Sequence, residues 1–198
     1  MAQLKIPLDD KRFQTGLTWK DYMAQMGDTR ARTEEYYAKS TLTPDEQKFF
    51  GSVSGVKYGV MIAENWCGDV HRNSPLLAHI CEAIPGCDLR VFIRDQNADL
   101  RDTFLNNGYQ SIPVMVFFDR DWNEVGRWLE RAHAATGKAA AIRSTTLDVA
   151  PKEDKAAQEA AMNDFRGKVT AEYAAPGFPL WRAAASEVRL VLEKLAKK

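Results

Sequence analysis

The chain has 198 residues, with 27 Lys+Arg balanced by 27 Asp+Glu, so its formal net charge is zero. That length suits one well-packed domain with extensions, and the lack of a long block of one sign argues against a nucleic-acid partner or an anionic membrane surface. No stretch approaches the roughly 20 apolar residues of a membrane span, and the opening MAQLKIPLDD lacks a signal-peptide core. Cys67, Cys81 and Cys87 have neither the spacing of a zinc ribbon nor that of a secreted disulfide framework, so free thiols in a reducing, cytoplasmic setting are expected.

At the N-terminus Leu4, Ile6 and Leu8 alternate as a strand would, while Pro7 would confine such a strand to an edge, and the stretch stays open between strand and coil. Thr18-Trp19-Lys20-Asp21 and Thr43-Pro44-Asp45-Glu46 each place a capping residue three before an acid, which predicts two helix starts. Gly27 should interrupt the first helix. In the second, Pro44 takes the first helical position, and Phe49, Phe50 and Val53 form the expected buried face.

From Val56 the periodicity changes. Val56 to Glu64 and Leu89 to Arg94 are short β-branched-rich runs around a helical stretch from Asp69 to Ile84, the pattern of a βαβ unit. A helix from Ala98 to about Asn106 should close on a left-handed cap at Asn107-Gly108. Val114 to Phe118 and Glu124 to Leu129 then read as an antiparallel hairpin across Asp119-Arg120-Asp121-Trp122-Asn123. Beyond Leu129 the chain is Ala-rich. Ala157, Ala161, Phe165, Val169 and Tyr173 lie on one helical face, and Trp181, Ala184, Val188, Val191 and Leu195 on another, with Ala175-Pro176-Gly177-Phe178-Pro179 as the break. Trp122, Trp128 and Trp181 read as core or hairpin residues.

The chemistry concentrates in Glu64-Asn65-Trp66-Cys67-Gly68-Asp69-Val70-His71, where a buried strand gives way to a helix. A thiol at a helix N-terminus faces unpaired backbone N–H groups and the positive end of the helix dipole, both of which favour the thiolate, so Cys67 should ionise below a free cysteine. His71, one helical turn later, is either a cation that favours the thiolate or an exposed first-turn side chain. No further Cys or His has metal-ligand spacing, and no metal is expected. Cys81, 14 residues along the same helix or about 21 Å away, is out of disulfide reach of Cys67 and shares an apolar face with Val70, Leu77 and Ile84, as a core cysteine would. A pair of Cys81 with Cys87 across Pro85-Gly86 is geometrically open but disfavoured in a reducing compartment.

These residues resemble the thioredoxin superfamily, whose active site follows Trp-Cys-x-x-Cys at a strand-to-helix junction. Ile112-Pro113 falls where that superfamily places a cis-proline against the active cysteine, and Pro75 falls where its active-site helix kinks. More narrowly, WCGDVHRNSP, VFIRDQNADL and SIPVMVFFDRDWNEVGRW look like a bacterial branch of thioredoxin family proteins. The resemblance covers about residues 56–129. It implies an α/β thioredoxin-like fold, a central mixed sheet flanked by helices, with a helical extension at 1–55, a core at 56–130 and a C-terminal helical part at 131–198 packing on the same domain. It further implies Cys67 as nucleophile, with Trp66, Gly68, Asp69, Val70, Ile112 and Pro113 forming the motif and substrate groove.

The departures narrow the chemistry. Val70 stands where the resolving cysteine would be, so no internal disulfide can form there, and Met61 replaces a buried aspartate that assists resolution. Asp69 replaces the usual proline and puts a negative charge near the thiol. The resulting expectation is a monothiol thiol–disulfide oxidoreductase acting on a protein or small-thiol substrate, with an external resolving thiol and no cofactor. The alternatives are a binding module without redox turnover, built on the groove at Trp66, Ile112 and Pro113, and a monothiol glutaredoxin-like protein holding an iron–sulfur cluster with glutathione. The last lacks the Gly-Gly pair such proteins carry, since the corresponding stretch runs Gly126-Arg127-Trp128-Leu129-Glu130-Arg131. Exposed Ala-rich faces at the ends permit a homodimer.

Overall fold

In a computed structural model, residues 6–196 of the chain are described. Of the alternating N-terminal residues, Leu4 lies outside them, and Ile6 to Leu8 form no strand. The first helix, α1 (Asp10–Phe13), is capped by Asp9 and buries Phe13. Both predicted capping signals operate. Thr18 accepts from the Asp21 N–H at 3.1 Å and starts α2 (Trp19–Ala24). Gly27 adopts φ 54°, a left-handed conformation that costs glycine little, and separates α2 from α3 (Arg30–Lys39).

A complete capping box opens α4 (Pro44–Ser52): Thr43 Oγ1 accepts from the Glu46 N–H at 3.3 Å, and the Thr43 N–H donates to Glu46 Oε2 at 2.8 Å. Phe50 and Val53 are buried as expected, whereas Phe49 is only half-buried. Its ring is instead covered by the Arg189 guanidinium, 4.5 Å from the centroid, a cation–π contact that periodicity could not foretell.

The βαβ unit is present as β1 (Tyr58–Ala63), α5 (Gly68–Ala83) and β2 (Asp88–Ile93), with β2 parallel to β1. A short helix, α6 (Ala98–Thr103), follows. It stops earlier than expected, because Asn107 (φ 50°) and Gly108 (φ 85°) do not cap it. They form a tight turn in which Asn106 and Tyr109 exchange backbone hydrogen bonds at 2.8 Å, a use of two left-handed residues typical of two-residue hairpins.

The predicted hairpin appears with its expected bounds as β3 (Val114–Phe118) and β4 (Glu124–Leu129). The sheet order is β2-β1-β3-β4, with β3 antiparallel to both its neighbours. It is a mixed sheet. Central β1 and β3 are nearly continuous apolar runs because both of their faces are covered.

The remaining helices are α7 (His133–Thr145), α8 (Lys155–Tyr173) and α9 (Pro179–Leu192). The chain forms two compact units, one running from the N-terminus to Glu130 and resuming at Ala185, the other spanning Arg131–Ala184. Within the first, Trp128 donates its indole N–H to Glu187 at 2.9 Å, Arg189 pairs with Asp45 at 2.8 Å, and Val53 bridges Ala196. A Cβ on Gly126 would overlap Val191, so the glycine of β4 is what admits this last part of the chain. Within the second, Asp154 caps α8, Gly177 (φ 78°) and Phe178 (φ 50°) make the predicted break, and Tyr173 meets Trp181 edge-on. On the α8 face Val169 and Tyr173 are buried, while Ala157, Ala161 and Phe165 are half-buried.

No helix among the described residues is long and apolar enough to cross a membrane.

Candidate functional site

Cys67 is the N-cap residue of α5, with extended backbone (φ −84°, ψ 121°) and no side-chain capping bond. Strand β1 ends at Ala63, and Glu64-Asn65-Trp66 carry the chain over to it. The half-buried thiol donates to the Ile112 carbonyl at 3.7 Å, and the Ile112-Pro113 peptide is cis. Sequence-distant segments therefore meet at one sulfur, the start of α5 and the loop entering β3. The structure also brings Trp66 to the rim. It is 58% exposed, and the Arg94 guanidinium sits 4.8 Å from its ring. Ile112 and Pro113 are buried behind the thiol.

The first turn of α5 is built from the other motif residues. Val70 is fully buried, an apolar core contact where a resolving cysteine would stand. Asp69 is paired with Arg72 at 3.6 Å, so the negative charge expected to oppose the thiolate is partly offset by a cation one turn on. A Cβ on Gly68 would stand 2.9 Å from Arg72 Nη1, so the guanidinium lies close against the backbone beside the cysteine. Met61 is fully buried in β1 and paired across the sheet with Met115.

His71 corrects the sequence reading. It is neither exposed nor a cation near the thiol, being 3% exposed and held at a pKa of about 4 by burial first and then by the positive charge of Arg32 and Arg72. Its Nδ1 lies 2.8 Å from Thr33 Oγ1, and it bonds the backbone of Asn65. A neutral imidazole thus ties α3 to the loop preceding Cys67. Thr29 Oγ1 donates to the same Asn65 carbonyl at 3.4 Å. The reason sequence spacing misled is that α3 covers this face of α5, which the position of His71 one turn after Cys67 does not reveal.

Three polar residues around the start of α5 are given no role by the sequence. Glu64 is 7% exposed, and its carboxylate accepts the Asp95 N–H at 2.9 Å, joining the loop after β2 to the loop before Cys67. Tyr22 of α2 is 1% exposed, and its hydroxyl is buried without a hydrogen-bond partner. Burial, then the negative charges of Glu64 and Cys67, push the Tyr22 phenol upward, so it stays protonated at neutral pH. Asn73 is fully buried and donates to the Asp69 and Glu130 carbonyls at 3.0 and 3.3 Å. The signal for Glu64 was present in the sequence, as an acid closing an apolar strand. Nothing in the pattern around Tyr22 marked it.

A thioredoxin family model matches residues 16–143. The chain belongs to the thioredoxin family. No curated protein matches the sequence. Among solved structures, an HIV epitope-scaffold superposes with a TM-score of 0.62 at 15% identity, covering 93% of this chain and 96% of its own. A protein of unknown function from Pseudomonas aeruginosa superposes with a TM-score of 0.56 at 18% identity, covering 80% of this chain and 95% of its own. At these identities the likeness speaks to the fold alone, a thioredoxin-like α/β arrangement. The family match itself begins at Gly16 and so takes in α2, α3 and α4 as well as the sheet. Among the described residues, no group of three or more His, Cys, Asp or Glu could hold a metal ion.

Proposed function

We propose that this thioredoxin family member is a monothiol thiol–disulfide oxidoreductase of the reducing cytoplasm. The Cys67 thiolate attacks one sulfur of a substrate disulfide and the other sulfur leaves as a thiolate. A first external thiol then attacks the Cys67 sulfur and releases the second substrate thiol, and a second external thiol attacks the resulting adduct, leaving as the external disulfide and restoring the Cys67 thiolate. The observation that carries this reading is the seat of Cys67, at the N-cap of a sixteen-residue helix with its sulfur 3.7 Å from the carbonyl of Ile112. There the dipole and first-turn N–H groups favour the thiolate, and the adjoining loop offers backbone to a substrate chain. Trp66 and Ile112 would flank that chain, and Val70, buried, supplies no second sulfur.

A purely binding role for the same groove has one observation in its favour, the exposure of Trp66 (58%). The experiment separates the two readings. The pH dependence of Cys67 alkylation by iodoacetamide, read by mass spectrometry, should give a midpoint below the ~8.5 of a free thiol, and Cys67→Ser should abolish reduction of a mixed-disulfide substrate while the double variant Cys81→Ser, Cys87→Ser retains it. An ordinary or raised midpoint, with partner binding unaffected by Cys67→Ser, would leave the binding role standing in its place.

A further inference from the structure

Cys81 lies in the last turn of α5, and two hydrogen-bonded turns in succession fold the chain back on it. The Ile84 N–H donates to the Cys81 carbonyl at 3.3 Å, and the Cys87 N–H donates to the Ile84 carbonyl at 3.2 Å. Between them Gly86 takes φ 75°, the left-handed conformation needed to reverse direction after Pro85. As a result Cys87, the residue before β2, is carried back beside the last turn of α5, near enough to Cys81 to raise its thiol. Room for the inner sulfur comes from the sheet, since a Cβ on Gly59 would stand 2.9 Å from Cys81 Sγ. The two thiols differ in access: Cys81 is 2% exposed, and Cys87 is half-buried.

We propose that Cys81 and Cys87 form a second redox centre, a dithiol that a small-molecule disulfide of the glutathione class oxidises to an intramolecular disulfide. The accessible Cys87 thiolate attacks one sulfur of the oxidised small molecule, and the other leaves as its thiolate. Cys81, across the turn from that sulfur, then attacks Cys87, displacing the second small thiolate and closing the ring. Both protein protons pass to the departing thiolates, so one small-molecule disulfide becomes two thiols and two cysteines become one cystine. Burial and the neighbouring Cys87 raise the Cys81 thiol, which makes Cys87 the point of entry. The centre is independent of Cys67. Cys81 is 14 residues along α5 from Cys67, about 21 Å at 1.5 Å per residue, so neither thiol of the pair reaches the first site in the same chain.

The test uses the full-length chain, as wild type and as Cys67→Ser, incubated with oxidised glutathione, blocked with iodoacetamide without reduction and digested with trypsin. No Lys or Arg lies between the two cysteines, so both fall in one peptide, residues 73–90. The expected product is that peptide two hydrogens lighter, carrying neither alkyl group nor glutathione, and restored by dithiothreitol in both proteins. In Cys81→Ser a glutathione adduct on Cys87 should accumulate instead. The proposal is overturned if the peptide emerges with both cysteines alkylated, or if wild type keeps a stable glutathione adduct on Cys87 without ring closure.

Discussion

Two buried polar side chains control the neighbourhood of Cys67 in opposite ways. His71 has its pKa lowered from 6.5 to about 4. Between those values the unfolded chain takes up a proton that the folded chain excludes, so its contribution to stability is complete above pH 6.5 and falls as pH drops towards 4. The loss between pH 8 and pH 5 should reach about 2 kcal/mol. In His71→Gln, which keeps a neutral hydrogen-bonding side chain, that part of the pH dependence should vanish, and urea midpoints measured at the two pH values would reveal it. An equal pH dependence in both proteins would show that the imidazole titrates normally. Tyr22 has the reverse character. Its hydroxyl is desolvated with no partner, a state that costs about 1–3 kcal/mol wherever it occurs. Tyr22→Phe should therefore be at least as stable as wild type by urea denaturation, and a clear fall in its midpoint would mean that the hydroxyl is engaged after all.

At the scale of elements, local chemistry and packing make separable contributions. The box at the start of α4 has both of its reciprocal bonds, and it depends on two side chains within one turn, Thr43 and Glu46. Thr43→Ala should cost about 1 kcal/mol, read as a lowered denaturation midpoint with the Cys67 alkylation profile unchanged, because α4 contributes no side chain to that site. The capping signals, the proline at the first helical position and the short strands of the hairpin were all legible in the sequence, since each is decided by neighbours a few residues away. Asn107-Gly108 was misread for a related reason. Two left-handed residues serve equally as a helix cap or as a two-residue turn, and the choice fell to the turn once α6 had stopped at Thr103.

Across the whole molecule, burial is uneven. Strand β1 from Gly59 and all of β3 are buried, whereas in α8 Ala157, Ala161 and Phe165 are only half-buried and burial is reached only at Val169 and Tyr173 near its end. Local opening is easiest where few apolar contacts are lost, so amides in the first turns of α8 should exchange with deuterium well before those of β1 and β3. Matching protection in the two regions would show that the helices beyond Arg131 are held as firmly as the sheet. The family match likewise runs past the sheet at both ends, from Gly16 to Arg143, which makes the helices before β1 part of the family's pattern and places Tyr22 and Thr33 within it.

The sequence by itself determined the βαβ unit, the hairpin and the strand-to-helix seat of Cys67, which follow from periodicity and capping, properties of short stretches. That Val70 stands where a second sulfur would be and that Pro113 falls beside the active cysteine came from the resemblance to the thioredoxin superfamily. Only the tertiary structure decided that His71 is buried and neutral, that Tyr22 and Glu64 stand near the thiol, that Arg72 offsets Asp69, and that the turn after α5 carries Cys87 back beside Cys81. Each of those depends on which helix covers which face and on how a charge is desolvated there, and neither burial nor desolvation is a property of a residue until the chain has closed around it.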